Sequence, residues 1–189
     1  MIAGILLAAG AGKRLGQPKA LIELGGLTLA ERGAAMLREG GADPVVVVTG
    51  AAPVPALRTV FNPDWSTGMG SSLVVGLSAL TDEDAVVIAL ADQPFVGAEA
   101  VRRLIAAYRG GATVAVASYD GQPRNPVLIA RRHWPAVIES ARGDTGARAF
   151  LRANPGLATR VECGDTGTPD DIDTPEDLER ARKALTGER

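Results

Sequence analysis

An excess of either charge, long hydrophobic runs, cysteine and histidine are all scarce in this chain. Among its 189 residues, 20 Lys and Arg stand against 22 Asp and Glu, for a net charge of −2. No basic excess is present to drive general binding to nucleic acid or to a membrane surface, so the basic residues that matter are local ones. The apolar opening "MIAGILLAAG" breaks at glycine and has no basic region before it. It is too short for a membrane span and has the wrong flank for a secretory signal. Cys163 is the one cysteine, which excludes an intrachain disulfide and favours a reducing compartment. The expectation is a cytoplasmic protein without nucleic-acid or membrane partners.

What is present is an ordinary globular composition, 46% hydrophobic and 22% charged, far from the signature of disorder. No repeat, low-complexity tract or linker divides the chain, so residues 1–189 read as one domain with a sizeable core. Apolar runs within Ile2–Ala8, Asp43–Gly50, Asp84–Asp92 and Gly111–Tyr119 read as strands buried on both faces. Shorter strands are expected at Arg58–Phe61, Asn125–Ala130 and Ala158–Cys163. Helices are expected over Leu27–Glu39, stopped at Gly40-Gly41, then Gly70–Leu80, Ala98–Tyr108, a segment ending near Ser140, Thr145–Arg152 and Pro175–Leu185. Strands alternating with helices imply an α/β fold, a single three-layer domain with a mostly parallel sheet. Ligands of such sheets bind beyond the carboxyl ends of the strands, where the loops after Ala8 and Leu90 lie.

The first of these loops belongs to "LAAGAGKRLGQPKAL", Leu7–Leu21. The dinucleotide fingerprint needs glycines at relative positions 1, 3 and 6. Gly10 and Gly12 fit, but Leu15 takes the third place. The Walker A loop fails too, because Leu7 stands where its first glycine belongs and Arg14 follows Gly12-Lys13. What remains is G-x-G-x-R-x-G-x-P-K from Gly10 to Lys19. Few Cβ atoms let backbone N–H groups turn onto phosphate oxygens, and Arg14 and Lys19 add a planar fork and a compact charge. A solvated glycine turn with surface basics is the plainer alternative.

The same segment resembles the nucleotide-binding signature of the MobA-like nucleotidyltransferases, and within them most the molybdenum cofactor cytidylyltransferases. The resemblance continues in order through "NPDWSTGMGSSLVVGL", "ADQPFV", "RNPVLI", "GDTGAR" and "DIDTPEDLERA", and so covers nearly the whole chain. It implies a Rossmann-like fold of the nucleotide-diphospho-sugar transferase type. It also implies transfer of CMP from CTP to a molybdopterin-type acceptor, with pyrophosphate leaving. "LAAG" accompanies cytidylyl transfer and "LAGG" guanylyl transfer, so Ala9 leans toward CTP. Mg²⁺ is the implied cofactor, held by one or two carboxylates and the substrate phosphates.

Carried onto this sequence, the resemblance makes Arg14, Lys19 and Asp92 catalytic. Leu7, Ala8, Ala9, Gly10 and Gly12 bind the nucleotide together with Arg14, Lys19, Gly70 and Ser71. Asn125, Asp144 and Arg148 bind the acceptor, and Asp92 and Asp173 hold the metal, with Asp171 a weaker alternative to Asp173. Read by themselves, Asp92 can be a strand-end turn residue, Asp173 or Thr174 a helix cap, and Asp144 or Thr145 another cap. Trp65 can stack on a flat ring or cover the core edge. The one histidine, His133, reads as a surface or packing residue. A client molybdoenzyme is an implied transient partner. The alternatives carried forward are a GTP-dependent enzyme or another phosphorylated acceptor on the same fold, a non-catalytic nucleotide- or cofactor-binding accessory protein, and a Rossmann-type reductase, against which Leu15 argues.

Overall fold

The fold is described by a computed structural model over residues 1–187; the last two residues of the expected domain lie outside the described ones. The first half runs β1 (Ile2–Leu7), β2 (Glu23–Leu24), β3 (Leu27–Thr28), α1 (Leu29–Glu39), β4 (Val45–Thr49), β5 (Thr59–Phe61), α2 (Met69–Ser78), β6 (Ala85–Leu90) and α3 (Ala98–Arg109). The second half holds β7 (Val114–Tyr119), β8 (Gln122–Ala130), α4 (Trp134–Ser140), α5 (Arg148–Ala153), β9 (Ala158–Glu162) and α6 (Pro175–Thr186).

Seven strands form one sheet in the order β5-β4-β1-β6-β8-β7-β9. β1 pairs parallel with β4 and β6, β4 with β5, and β7 with β9. β8 runs antiparallel to both β6 and β7. Successive side chains of a strand alternate between faces, so a strand covered on both sides must be apolar throughout. In β1, Leu6 packs into one core with Leu37 and Leu104, and Ile5 into another with Leu73 and Phe150. Helices α1 and α3 therefore lie on one face and α2, α4 and α5 on the other, giving the three layers of a single α/β domain. A smaller third core joins Ile22, Leu24 and Leu29 to Ile172, Leu178 and Ala181, fastening α6 beside the first loop.

Three boundaries differ from expectation, each for a local reason. Leu27 and Thr28 pair with Glu23 and Leu24 across Gly25-Gly26, whose positive φ angles, 62° and 82°, suit a tight hairpin. α1 therefore starts at Leu29, capped by Thr28 and Glu31 in a reciprocal capping box. β8 begins at Gln122 rather than Asn125, because Tyr119 and Gln122 pair across Asp120-Gly121. The helix expected from Thr145 begins at Arg148, and its N-cap residue Ala147 makes no side-chain bond. Neither Asp144 nor Thr145 is that cap.

The chain places β4 and β5 on one side of β1 and β6 on the other. Leu7 stands level with Val48 and Leu90, so three strands end together where the chain changes direction across the sheet. Crevices of this kind are the ligand sites of open α/β sheets.

Candidate active site

The loop that leaves β1 is shaped by glycine. Gly12 has φ +62°, and a Cβ there would lie 1.9 Å from the Gln17 carbonyl oxygen. The Gly12 carbonyl accepts from the Leu15 and Gly16 N–H groups, each at 2.9 Å, which folds the loop back on itself. The N–H groups of Gly10 to Arg14 then have no partner among the described residues. They remain available to an anion.

Lys19 follows at the start of a short 3₁₀ turn. Its ammonium bonds the Asp92 Oδ2 at 3.0 Å and also reaches the Asp173 carboxylate. Asp92 sits in the turn after β6, half-buried, and Asp173 precedes α6 with a more exposed side chain. The long sequence separation between them is closed by the sheet and by α6 packing back on the first loop. Thr174, not Asp173, caps α6, in a capping box with Asp177. The Asp173 carboxylate is thereby free of the helix start and stays with Lys19.

One ammonium serving two carboxylates leaves this trio short of positive charge. Burial pushes the Asp92 carboxyl above its ordinary value; the Lys19 ammonium opposes this, and the Asp171 and Asp173 charges add to it. For Lys19, burial works against the ammonium, but Asp92 and Asp173 outweigh it and hold the amine above its usual range. Both shifts are upward: the amine of Lys19 stays an ammonium, and Asp92, destabilised as a carboxylate by burial, is the group that needs a further cation. The buried Asp92 Oδ1 has no hydrogen-bond partner, the signature of a carboxylate with an unfilled contact. Among the described residues, no three His, Cys, Asp or Glu side chains gather to hold a metal. Two carboxylates with room for phosphate oxygens fit a hard divalent cation such as Mg²⁺, which usually keeps few protein ligands.

A cavity of about 420 Å³ opens over these groups. Leu7, Ala8, Ala9, Gly10 and Gly12 line it, with Lys19 and Asp92 beside them. Lys13 lines it and Arg14 does not; both are exposed residues of the loop. Trp65 lines it too, braced by close backbone approach, since a Cβ on Gly50 would meet the Trp65 Cβ at 2.4 Å and the Ala9 Cβ at 2.9 Å. Asp144 reaches the cavity near Gly68, from the expected acceptor side.

Other expected site residues lie apart. Gly70 and Ser71 are not in the cavity lining. The Gly70 N–H donates to the Gly143 carbonyl at 2.7 Å, and a Cβ at Gly70 would lie 2.8 Å from the Arg142 nitrogen. The Ser71 hydroxyl donates to the carbonyls of Asp64 and Gly68 and accepts from the amide of buried Asn62. Asn125, in β8, and Arg148, exposed at the start of α5, are outside the lining. His133 meets the Thr113 hydroxyl and the Phe150 ring, and buried Cys163 has its thiol pushed up by burial. Three residues missed from the sequence are Lys13, whose position in the loop was visible, Asn62, and Gln93, directly after Asp92.

Comparison with known proteins shows the family and the fold. A family model, the MobA-like NTP transferase domain, matches residues 4–159, ending short of Asp173. The chain is 41% identical over 195 residues to a nicotine blue oxidoreductase of Paenarthrobacter nicotinovorans, covering 95% of each. It is 27% identical over 211 residues to a molybdenum cofactor guanylyltransferase of Rhodobacter capsulatus, covering 97% of this chain and 96% of the relative. Among solved structures, a Mycobacterium sp. strain JC1 homologue of Mycobacterium tuberculosis Rv0371c superposes with a TM-score of 0.86 at 32% identity, covering 98% and 97% of the two chains. Rv0371c itself, in complex with manganese, superposes at 0.77 with 23% identity, covering 97% and 98%, and shares the fold. No helix among the described residues is long and apolar enough to cross a membrane.

Proposed function

The chain belongs to the MobA-like NTP transferase family, and we propose that it transfers CMP from CTP to a molybdopterin-type phosphorylated acceptor. The observation that carries the reading is the meeting of Lys19, Asp92 and Asp173 under a glycine loop with free N–H groups. In this reaction an oxygen of the acceptor's phosphate attacks the α-phosphorus. The bond to the α,β-bridging oxygen breaks, and pyrophosphate leaves with its electron pair. Charge grows on that bridging oxygen, and a preorganised cation such as Lys19 supplies about 2.7–4 kcal/mol against it, by analogy with oxyanion donors. The acceptor brings its own nucleophile, so no side chain need be a strong base.

Asp92 and Asp173 would hold Mg²⁺, which supplies Lewis-acid neutralisation of the phosphate charge. The chain's own share is to position. Lys19 bonds both acids and also lines the cavity. The loop amides from Gly10 to Arg14 offer donors to phosphate oxygens, Lys13 adds charge in the cavity lining and Arg14 adds it from the exposed loop outside, and Asp144 lines the cavity for the acceptor. Ala9, backed by Trp65, narrows the cavity where a base would lie; one methyl discriminates by about 1–3 kcal/mol. Asn125, Arg148, Gly70 and Ser71 lie outside the cavity lining. A client molybdoenzyme that accepts the finished cofactor, and a cytoplasmic setting, belong to the same reading.

Thermal unfolding with CTP, GTP, ATP and UTP, each with and without Mg²⁺, tests it. Ligand at a hundred times its Kd adds about 2.7 kcal/mol, roughly 5–10 °C for a domain of this size. A Mg²⁺-dependent shift with CTP alone is expected, followed by pyrophosphate release when molybdopterin is added. A shift with GTP alone would overturn the base assignment and keep the transferase.

One observation favours a second reading. The relative at 41% identity is named for oxidoreduction of nicotine blue. Oxidation of NADH or NADPH, followed by absorbance with that pigment present, tests it directly. Leu15 in the third glycine place of the loop and the Lys19 trio speak for phosphate transfer instead.

A further inference from the structure

We infer that Gln93 is a positioning residue: by holding Asp171 it sets Asp173 opposite Asp92 and so builds the second half of the metal site. The inference rests on the proposed function, and it deepens it. Asp173 is on no helix or strand; the chain between β9 and α6 is irregular from Cys163 to Thr174. A carboxylate on such a segment is placed only by the ties that hold its backbone. On the α6 side, the Asp177 carboxylate accepts from the N–H groups of Asp173 and Thr174, each at 3.0 Å. On the β6 side, the Ile172 N–H donates to the Asp92 carbonyl at 2.8 Å. Ile172 itself is buried in the third core, and a further tie is Gln93, whose Nε2 donates to the Asp171 Oδ1 at 2.9 Å.

Gln93 is 6% exposed and directly follows Asp92 in the turn, where its own N–H donates to the Leu90 carbonyl. Its orientation is fixed by chemistry, because an ionised carboxylate only accepts and must therefore face the amide nitrogen. That choice leaves the Gln93 Oε1 buried without a partner. An apolar side chain of the same size would remove this unsatisfied acceptor and would be no worse for stability. The amide is thus poorly explained by packing alone. It is well explained by what it grips, an exposed acid two residues before Asp173. Lys19 reaches Asp173, whereas Asp171 is held by Gln93. The two acids of "DID" divide the work: Asp173 faces the reaction and Asp171 anchors the segment.

The test is binding of Mn²⁺, read by electron paramagnetic resonance of the free ion, in the presence of whichever of CTP or GTP stabilises the wild type. Residues that orient metal ligands typically change affinity about 10- to 100-fold when lost. Gln93→Met is expected to weaken Mn²⁺ by that factor with a melting temperature equal to or above wild type. Asp171→Ala should weaken it equally, and the double variant no further, since both remove one hydrogen bond. Asp171→Asn should bind like wild type, because its amide oxygen still accepts. Wild-type affinity in Gln93→Met, additive losses in the double variant, or Asp171→Asn as weak as Asp171→Ala would each overturn the inference, the last by making Asp171 a ligand itself. Should Gln93→Met fail to fold, the two Asp171 variants decide alone. Absence of Mn²⁺ binding by the wild type would instead bring down the proposed function, and this inference with it.

Discussion

Two glycine-rich stretches, "GAGKRLG" and "GMGSS", look alike as sequence and differ in the structure. In the first, Gly12 is needed for a left-handed turn, and the N–H groups of Gly10 to Arg14 are left without partners among the described residues. In the second, Gly70 is needed for contact: the backbone at Ala141–Arg142 lies against it, and its N–H is already taken by the Gly143 carbonyl. The neighbouring serines are turned into a network with Asn62, which donates to Ser71 and Ser72 at 2.8 and 2.9 Å. Glycine can expose amides to a ligand or bring two backbones together, and composition does not say which. The difference comes from whether another segment already occupies the donors.

The comparison breaks most sharply at the acids beside the open loop. Asp92→Ala removes the buried carboxylate and should cost the metal-dependent reaction several kcal/mol, about 10³-fold or more in turnover, with the fold intact. Steady-state pyrophosphate release and circular dichroism check both halves. Wild-type turnover would refute the metal assignment. Next comes Gly12→Ala, which forces a positive φ on a side chain and puts a methyl into the Gln17 carbonyl. A stability loss of about 1–3 kcal/mol from backbone strain alone is expected, together with loss of nucleotide-induced stabilisation in the same melting assay. Gly70→Ala should cost about 1–3 kcal/mol by overpacking while nucleotide affinity, read by calorimetric titration, stays at the wild-type level. If Gly70→Ala loses affinity instead, the helix start belongs to the binding site and the contrast between the two stretches fails.

The same logic shows what was legible in the sequence. β1, β4, β6 and β7 were readable because strands buried on both faces leave continuous apolar runs, and the fold class followed from their alternation with helices. The reversed direction of β8 was not read, although Asp120-Gly121 between two apolar segments is a hairpin signal; both residues take positive φ in the structure, 53° and 77°. The hairpin at Gly25-Gly26 and the capping pair Thr28 and Glu31 are legible in the same way. In the site, Lys19, Asp92 and Asp173 were named from motif resemblance, and the sheet brings them together. No local pattern could have paired Asp92 with Asp173, because tertiary contacts do so: α6 packs against the segment after the first loop, and the chain before it is tied to the turn after β6. Gln93 and Asn62 stayed hidden because a buried amide looks in sequence like any polar turn residue. Lys13 stayed hidden beside Arg14 because spacing does not say which of two adjacent basic residues in an exposed loop lines the cavity.

A third turn sharpens the contrast at the smallest scale. At the end of β7 the Glu162 carboxylate accepts from the Ser118 hydroxyl at 2.8 Å and from the N–H groups of Asp120, Gly121 and Gly164. Here a glycine turn does hold an anion, and the anion is supplied by the chain. The Ser118 hydroxyl is the largest influence; burial opposes it, and the amides of Gly164, Asp120 and Gly121 add to it, so the carboxyl is held below its ordinary 4.5. A depressed carboxyl stabilises the folded state above its unfolded value and loses that stabilisation as pH falls through its folded value. Glu162→Gln keeps the shape and removes the charge. Its melting temperature should therefore lie below wild type at pH 7, and the gap should close as pH drops below about 4.5, the ordinary value of the glutamate. A gap that persists unchanged to low pH would mean that geometry, not charge, is what these amides recognise. The open loop at Gly10–Arg14, which has the same donors and no carboxylate of its own, would then have to be judged on shape as well.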